Sequence, residues 1–183
     1  MSALEVTTWD LEQRARPARP LRAAPPGATW VRLAHPATHF YRYLYETVGA
    51  PWLWVERRRM PDEQLESIVS DPDVHIGVAY VGGAPAGYFE LDARHLRDGV
   101  RGEIELAYFG LVPECIGRGL GGWLLDAAID RAWSIEGTTR LWVHTCSLDH
   151  PRALGQYERA GFVRVAERRD VIWDPRPLPI VPR

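Results

Sequence analysis

The chain has 183 residues, 46% of them hydrophobic, which suits one domain with a sizeable core of its own. Its formal net charge is −2 and every basic residue is an arginine, so it lacks the concentrated positive surface that a general nucleic-acid binder needs. It contains no run of about 18 apolar residues and no charged leader feeding an apolar stretch, so the expectation is a cytoplasmic protein with no membrane partner.

Taken in chain order, residues 1–28 read as an irregular arm. The segment Gln13-Arg14-Ala15-Arg16-Pro17-Ala18-Arg19-Pro20 and the later Pro25-Pro26-Gly27 sustain neither a helix nor a ladder, with room only for a short strand near Leu4 to Thr8. Thr29 to Leu33 reads as a strand. A helix opens at His35-Pro36, carries Phe40, Tyr43, Leu44 and Thr47 at helical spacing, and ends at Gly49-Ala50-Pro51. Pro61 through Val69 predicts a second helix, with Asp62 and Glu63 where the helix dipole favours acids.

Val74 to Val81 and Pro85 to Leu91 form a hairpin about Gly82-Gly83, and Glu103 to Val112 gives a further strand. Leu125, Ala128, Ile129 and Ala132 share one helical face, predicting a helix from about Gly117 to Ile135. A strand over Arg140 to Thr145, a helix over Pro151 to Ala160 and a strand region from Phe162 to Trp173 complete an α/β sandwich with a mixed sheet. The domain is expected over 29–175, followed by a Pro-rich tail at 176–183.

Ile116-Gly117-Arg118-Gly119-Leu120-Gly121, with Gly122, falls between a strand and a helix. Glycines there let the chain turn sharply and let a ligand approach the unpaired amides of the helix start, a site for a diphosphate or similar anion. A dinucleotide-binding turn wants a different glycine spacing and an early strand-helix-strand unit. Glu103 and Glu105 alternate with Ile104 and Leu106, so the two carboxylates share one strand face, either as solvated acids or as a base in a partly dry cleft. His35 and His39 stand four apart without a supporting acid motif, Cys115 and Cys146 have no zinc spacing, and no metal site is expected.

From Glu103 to Phe162 the sequence resembles the GNAT superfamily of acyl-CoA-dependent N-acyltransferases. Gly119 and Gly121 occupy the two small-residue positions of the motif Gln/Arg-x-x-Gly-x-Gly/Ala, with Ile116 where Gln or Arg is usual. The stretch His150-Pro151-Arg152-Ala153-Leu154-Gly155-Gln156-Tyr157-Glu158-Arg159-Ala160-Gly161-Phe162 matches Asn-x-x-Ala-x-x-Leu-Tyr-Glu-x-x-Gly-Phe at Ala153, Tyr157, Glu158, Gly161 and Phe162, and differs at His150 and Gln156.

The resemblance implies an α/β fold with a mixed, mostly antiparallel sheet flanked by helices on both faces. It implies acetyl-CoA as cosubstrate, held by Leu111, Val112, Ile116, Gly117, Arg118, Gly119, Leu120, Gly121 and Gly122. Tyr157 is implied as the proton donor to the leaving thiolate, against packing alone, and Glu105 as the general base. It also implies a bulge near Phe109 to Val112 that exposes backbone to the pantetheine arm. The acceptor expected is the primary amine of a small molecule, attacked without a covalent enzyme intermediate, and a homodimer is compatible with this reading. A protein or peptide acceptor, or a non-catalytic acyl-CoA-binding module, is the alternative. His144 and His150 read as packed or capping residues.

Overall fold

The computed structural model describes residues 2–96 and 102–177; the expected tail at 176–183 lies mostly outside them. Seven strands form one sheet: β1 (Ala3–Gln13), β2 (Ala28–Leu33), β3 (Val74–Val81), β4 (Ala84–Asp92), β5 (Glu103–Leu111), β6 (Arg140–Cys146) and β7 (Val163–Trp173). Their order is β2-β3-β4-β5-β6-β1-β7, antiparallel throughout except between β5 and β6. The helices are α1 (Thr38–Gly49), α2 (Glu56–Arg59), α3 (Asp62–Val69), α4 (Leu120–Trp133) and α5 (Ala153–Arg159). Among the described residues no helix is long and apolar enough to cross a membrane.

The N-terminus corrects the expectation of an irregular arm over 1–28. Residues 3–13 form an eleven-residue strand inserted between β6 and β7, with Val6 and Leu11 buried. The run Val6-Thr7-Thr8-Trp9 is β-branched and aromatic, and ladders on both sides satisfy its backbone. Irregular chain begins only at Arg14, and it runs along α4. There the Asp126 carboxylate accepts from the guanidinium groups of Arg19 and Arg22 and from the Arg22 amide (2.9 Å), while Arg16 meets Asp130.

Helix starts also differ from the sequence reading for identifiable reasons. His35 sits at φ 52, outside helical backbone, and α1 begins at Thr38. Gly117 and Gly119 have φ 84 and 78, so the right-handed helix α4 begins only at Leu120. The short α2 has no counterpart in the sequence reading, since four residues are too few to show a helical period.

α1 and α4 both pack on β4 and β5, from opposite faces. Tyr41, Leu44, Tyr45 and Val48 of α1 are buried, as are Leu124, Leu125, Ala128 and Ala132 of α4. The segment from α1 to α3 is fixed to the sheet by a polar cluster. Fully buried Glu90 of β4 accepts from Arg57 Nη2 (2.7 Å) and from the Tyr41 hydroxyl. Arg42 donates to the Arg57 carbonyl (2.6 Å), the Met60 carbonyl (2.7 Å) and Asp62. Removing one member of such a buried pair strands the other, although Arg57 Nε itself has no hydrogen-bond partner among the described residues. The cluster's effect is positional: it sets Trp54 and Glu56, at the start of α2, against Tyr108 of β5.

Candidate active site

The site begins where β5 and β6 part. They pair at Glu103–Arg140, Ile104–Leu141 and Glu105–Trp142, and beyond that both strands continue without pairing to each other. A bulge lies at this point. The β4 register passes from Leu91–Leu106 to Glu90–Tyr108, which leaves Ala107 as the extra residue and bends β5 away from β6. The bulge expected near Phe109 to Val112 is therefore earlier. Gly110 meets a different need, since a Cβ there would come within 2.5 Å of Val48 Cγ1 on α1. The bulge also turns Tyr108 toward α1 and α2, where its hydroxyl donates to Glu56 (2.7 Å) and its ring packs on Tyr45 and Trp54.

Between the splayed strands lies a cleft of about 580 Å³. At one end is the first turn of α4, whose amides have no intrahelical partner and whose dipole favours an anion. Gly117 and Gly119 have no atom within 4 Å of where a Cβ would stand, so their backbone is open to a ligand. Gln156 of α5 approaches from the opposite side. Among the described residues its Nε2 is buried without a hydrogen-bond partner, and it lies 3.1 Å from the position a Gly121 Cβ would take. An orphaned donor beside an open helix start fits the phosphates and amide-rich arm of an acyl-CoA.

Leu111, Ile116, Gly117, Gly119, Gly121, Gly122 and Tyr157 line the cleft. Val112 and Leu120 are buried and pack in the core, and Arg118 is exposed and outside the lining, so any role of Val112 and Leu120 runs through main chain alone. Tyr157 is packed between Phe109 (6.2 Å between ring centroids) and Phe162 (5.8 Å). Burial, with the Asp149 charge second, pushes its hydroxyl well above the usual tyrosine range, so the group stays protonated. Among the described residues that hydroxyl has no hydrogen-bond partner.

The other end of the cleft is aromatic and acidic. Trp52, Trp54 and Tyr108 wall it, with Glu56 and Asp149 among its polar groups. Asp149 accepts from Thr145 Oγ1 (2.7 Å), the Cys146 amide (2.9 Å) and Trp54 Nε1 (3.4 Å). His150 stacks edge-on to Trp52 and accepts from the Arg152 amide (3.1 Å), a capping contact before α5. Burial raises the Cys146 thiol, with the Asp149 charge adding to it, so this thiol is not poised as a thiolate nucleophile.

The two strand carboxylates separate. Glu103 pairs with Arg140 (3.1 Å). Glu105 does not line the cleft; its Oε1 stands 3.4 Å from Nδ1 of His144, which does. Sequence reasoning missed this pair and Gln156. The register that sets His144 beside Glu105 comes from the parallel β5–β6 pairing across an intervening helix, and no local pattern encodes it.

A mixed sheet opens along one parallel pair, with a bare helix start at one end of the opening and an acidic aromatic chamber at the other, in a seven-stranded α/β fold. The chain belongs to the GNAT family of acetyltransferases, whose family model matches residues 30–162. No curated protein matches the sequence. Among solved structures it is similar to a GCN5-related N-acetyltransferase from Sphaerobacter thermophilus, with 17% identity and a TM-score of 0.65 over 91% of this chain and 50% of that one. It thus spans about half the length of that protein. It is also similar to an aminoglycoside acetyltransferase from an uncultured soil metagenomic sample, solved with sisomicin (14% identity, TM-score 0.60, 74% and 88% of the two chains). A third similar structure is the ribosomal-protein-S18-alanine N-acetyltransferase from Escherichia coli (17% identity, TM-score 0.58, 76% and 79%).

Proposed function

We propose that the protein moves an acetyl group from acetyl-CoA to a primary amine of a small molecule, by direct attack of the amine on the thioester. The observation that carries this reading is the sharing of one cleft by the bare start of α4, the unpaired edge of β5 beyond Glu105 and the partnerless hydroxyl of Tyr157. Acetyl-CoA supplies a thioester whose acyl carbon accepts the amine and whose thiolate departs.

The chain's own residues do the remainder. Amides at Gly117 to Gly122 and the Gln156 Nε2 hold the phosphates and the adjoining arm, with Arg118 adding charge at the rim. The free edge of β5 from Leu106 to Leu111 aligns the arm as an added strand would be aligned and places the acyl group near Tyr157. The Tyr157 hydroxyl passes its proton to the thiolate, a role that a group kept protonated by burial can fill at neutral pH. Glu105 belongs to the group that takes the proton from the amine. Trp52, Trp54 and Tyr108 sort acceptors by shape, and Glu56 and Asp149 favour a molecule arriving as an ammonium ion.

The acceptor end of the cleft is walled by the rings of Trp52, Trp54 and Tyr108, and an aromatic-lined recess suits a small acceptor. The test is thiol release from acetyl-CoA with a panel of small amines beside peptides bearing free N-termini. Turnover with small amines supports the proposal; turnover with peptides alone replaces the acceptor, and tight coenzyme A binding without any turnover removes the enzymatic reading.

A further inference from the structure

We propose that His144 is the group that takes the proton from the acceptor amine, and that Glu105 is a positioning residue acting through it. This rests on the acetyl-transfer reading of the cleft and names its base.

Glu105 is the last β5 residue paired with β6, opposite Trp142. His144 follows Trp142 by two residues and therefore shares its face, at the first position on that face beyond the last β5–β6 pair. Here the two side chains divide the work by exposure. Glu105 is 18% exposed, lies outside the cleft lining and touches the imidazole; His144 is 50% exposed and faces the cleft. A carboxylate behind and an imidazole in front is the arrangement in which the acid fixes the tautomer and steadies the imidazolium, while the ring does the proton transfer. With Nδ1 engaged by Glu105 at 3.4 Å, Nε2 is the nitrogen left for the acceptor.

The groups around His144 act in one direction. Glu105 faces it from β5, Glu56 from α2 and Asp149 from the turn after β6. Asp10 is its register partner on β1, and that carboxylate is held by Arg168 of β7. Trp142 lies with its ring 6.3 Å away. The Glu105 contact raises the imidazole's proton affinity, burial opposes it, and the charges of Glu105, Glu56 and Asp149 add to the rise.

Protons balance as follows. His144 Nε2 takes one from the ammonium, and the resulting imidazolium returns it to water. After the nitrogen has bonded to the acyl carbon and the carbon–sulfur bond has broken, the second nitrogen proton replaces the one Tyr157 gave to the thiolate. One proton in all is released.

The experiment is the pH dependence of kcat, measured with a saturating small amine for the unaltered protein and for His144→Gln, Glu105→Gln and Glu105→Asp. His144→Gln should lower kcat by about 10²-fold and abolish the acid limb while leaving acetyl-CoA affinity unchanged. Imidazole in solution should restore part of the activity of His144→Ala. Glu105→Gln should lower kcat by about tenfold and move the limb to lower pH, since the imidazolium loses its anion, and Glu105→Asp should restore much of both. NMR titration of the His144 ring supplies a readout free of turnover, midpoint above 6.5 in the unaltered protein and lower in Glu105→Gln. The proposal is overturned if His144→Gln keeps its rate and limb while Glu105→Gln loses both, or if the ring's midpoint ignores Glu105. A protein that turns over no amine, yet shows the expected ring titration, sinks the acetyl-transfer reading on which the proposal rests.

Discussion

Arg19 reaches Asp126 with both terminal nitrogens of its guanidinium, and the carboxylate side chain it grips is only 1% exposed. Arg22 closes on the same carboxylate and also donates to the Gly122 carbonyl (3.0 Å) in the first turn of α4. The segment between β1 and β2 is thus tied to the helix that begins the proposed phosphate site. Asp126→Asn should cost about 2–3 kcal/mol, the range for losing charge-assisted bonds at a buried carboxylate. Urea unfolding would measure this, and limited proteolysis should find new cleavage within 14–27. Burial alone would raise the Asp126 carboxyl, but the Arg19 and Arg22 bonds outweigh it and hold it below 3.8. Its contribution is therefore complete above that value and disappears as pH falls through the lower folded value. Asp126→Asn should flatten this part of the acid-unfolding curve.

His75 gives a second, separate pH window. Burial, with Arg131 and Arg32 adding to it, lowers its imidazole from 6.5 to about 4. In that interval the unfolded chain binds a proton that the folded chain refuses, so stability should decline as pH falls from 6.5 toward 4. His75→Gln should remove that slope in melting temperature while leaving the steeper loss at lower pH. An unchanged slope would mean that the imidazole accepts its proton in the folded protein.

Tyr157→Phe keeps the ring that packs between Phe109 and Phe162 and removes only a hydroxyl. Stability should stay within about 1 kcal/mol, because no buried partner is stranded. Acetyl-CoA affinity should hold, while kcat should drop by about 10²-fold if the hydroxyl is the thiolate's proton source. A drop in affinity with kcat intact would assign the residue to packing instead.

Gly119→Val places a branched side chain at φ 78 and aims its Cβ into the open approach to α4. The backbone cost is about 1–2 kcal/mol. At roughly 2–4 °C per kcal/mol for a chain of this size, the melting temperature should fall by roughly 2–8 °C. The KM for acetyl-CoA should rise at least about tenfold, and an unchanged KM would place the phosphates elsewhere.

Much of this architecture was legible before the coordinates, and the boundary is physical. The β3–β4 hairpin, α4 and α5 announce themselves through periodicity and glycine turns, all local signals. Two motifs placed Gly119, Gly121 and Tyr157 on one cleft, although they converge only through the fold. What was not legible depends on distant pairing. At the N-terminus only a short strand near Leu4 to Thr8 was legible, and its full extent to Gln13 was not, because the prolines and arginines just after it dominate the composition of the first 28 residues. Nothing local in Arg57-Arg58-Arg59 marks Arg57 as the one buried against Glu90 of β4. His144 looked like a packed strand histidine, because its neighbour Glu105 lies on the far side of α4 in sequence.

The place of β1 has a temporal side. β6 and β7 do not touch as strands; each reaches the other only through β1. β1 is made before β7, so its outer ladder closes only once residues 163–173 exist, a contact of very long sequence separation that slows folding. During that wait residues 3–13 carry an unpaired edge with the Val-Thr-Thr-Trp run upon it, the kind of segment that self-associates when exposed. Yield from a growing chain should for that reason be more sensitive to charge-reducing changes in β1 than the stability of the finished molecule is.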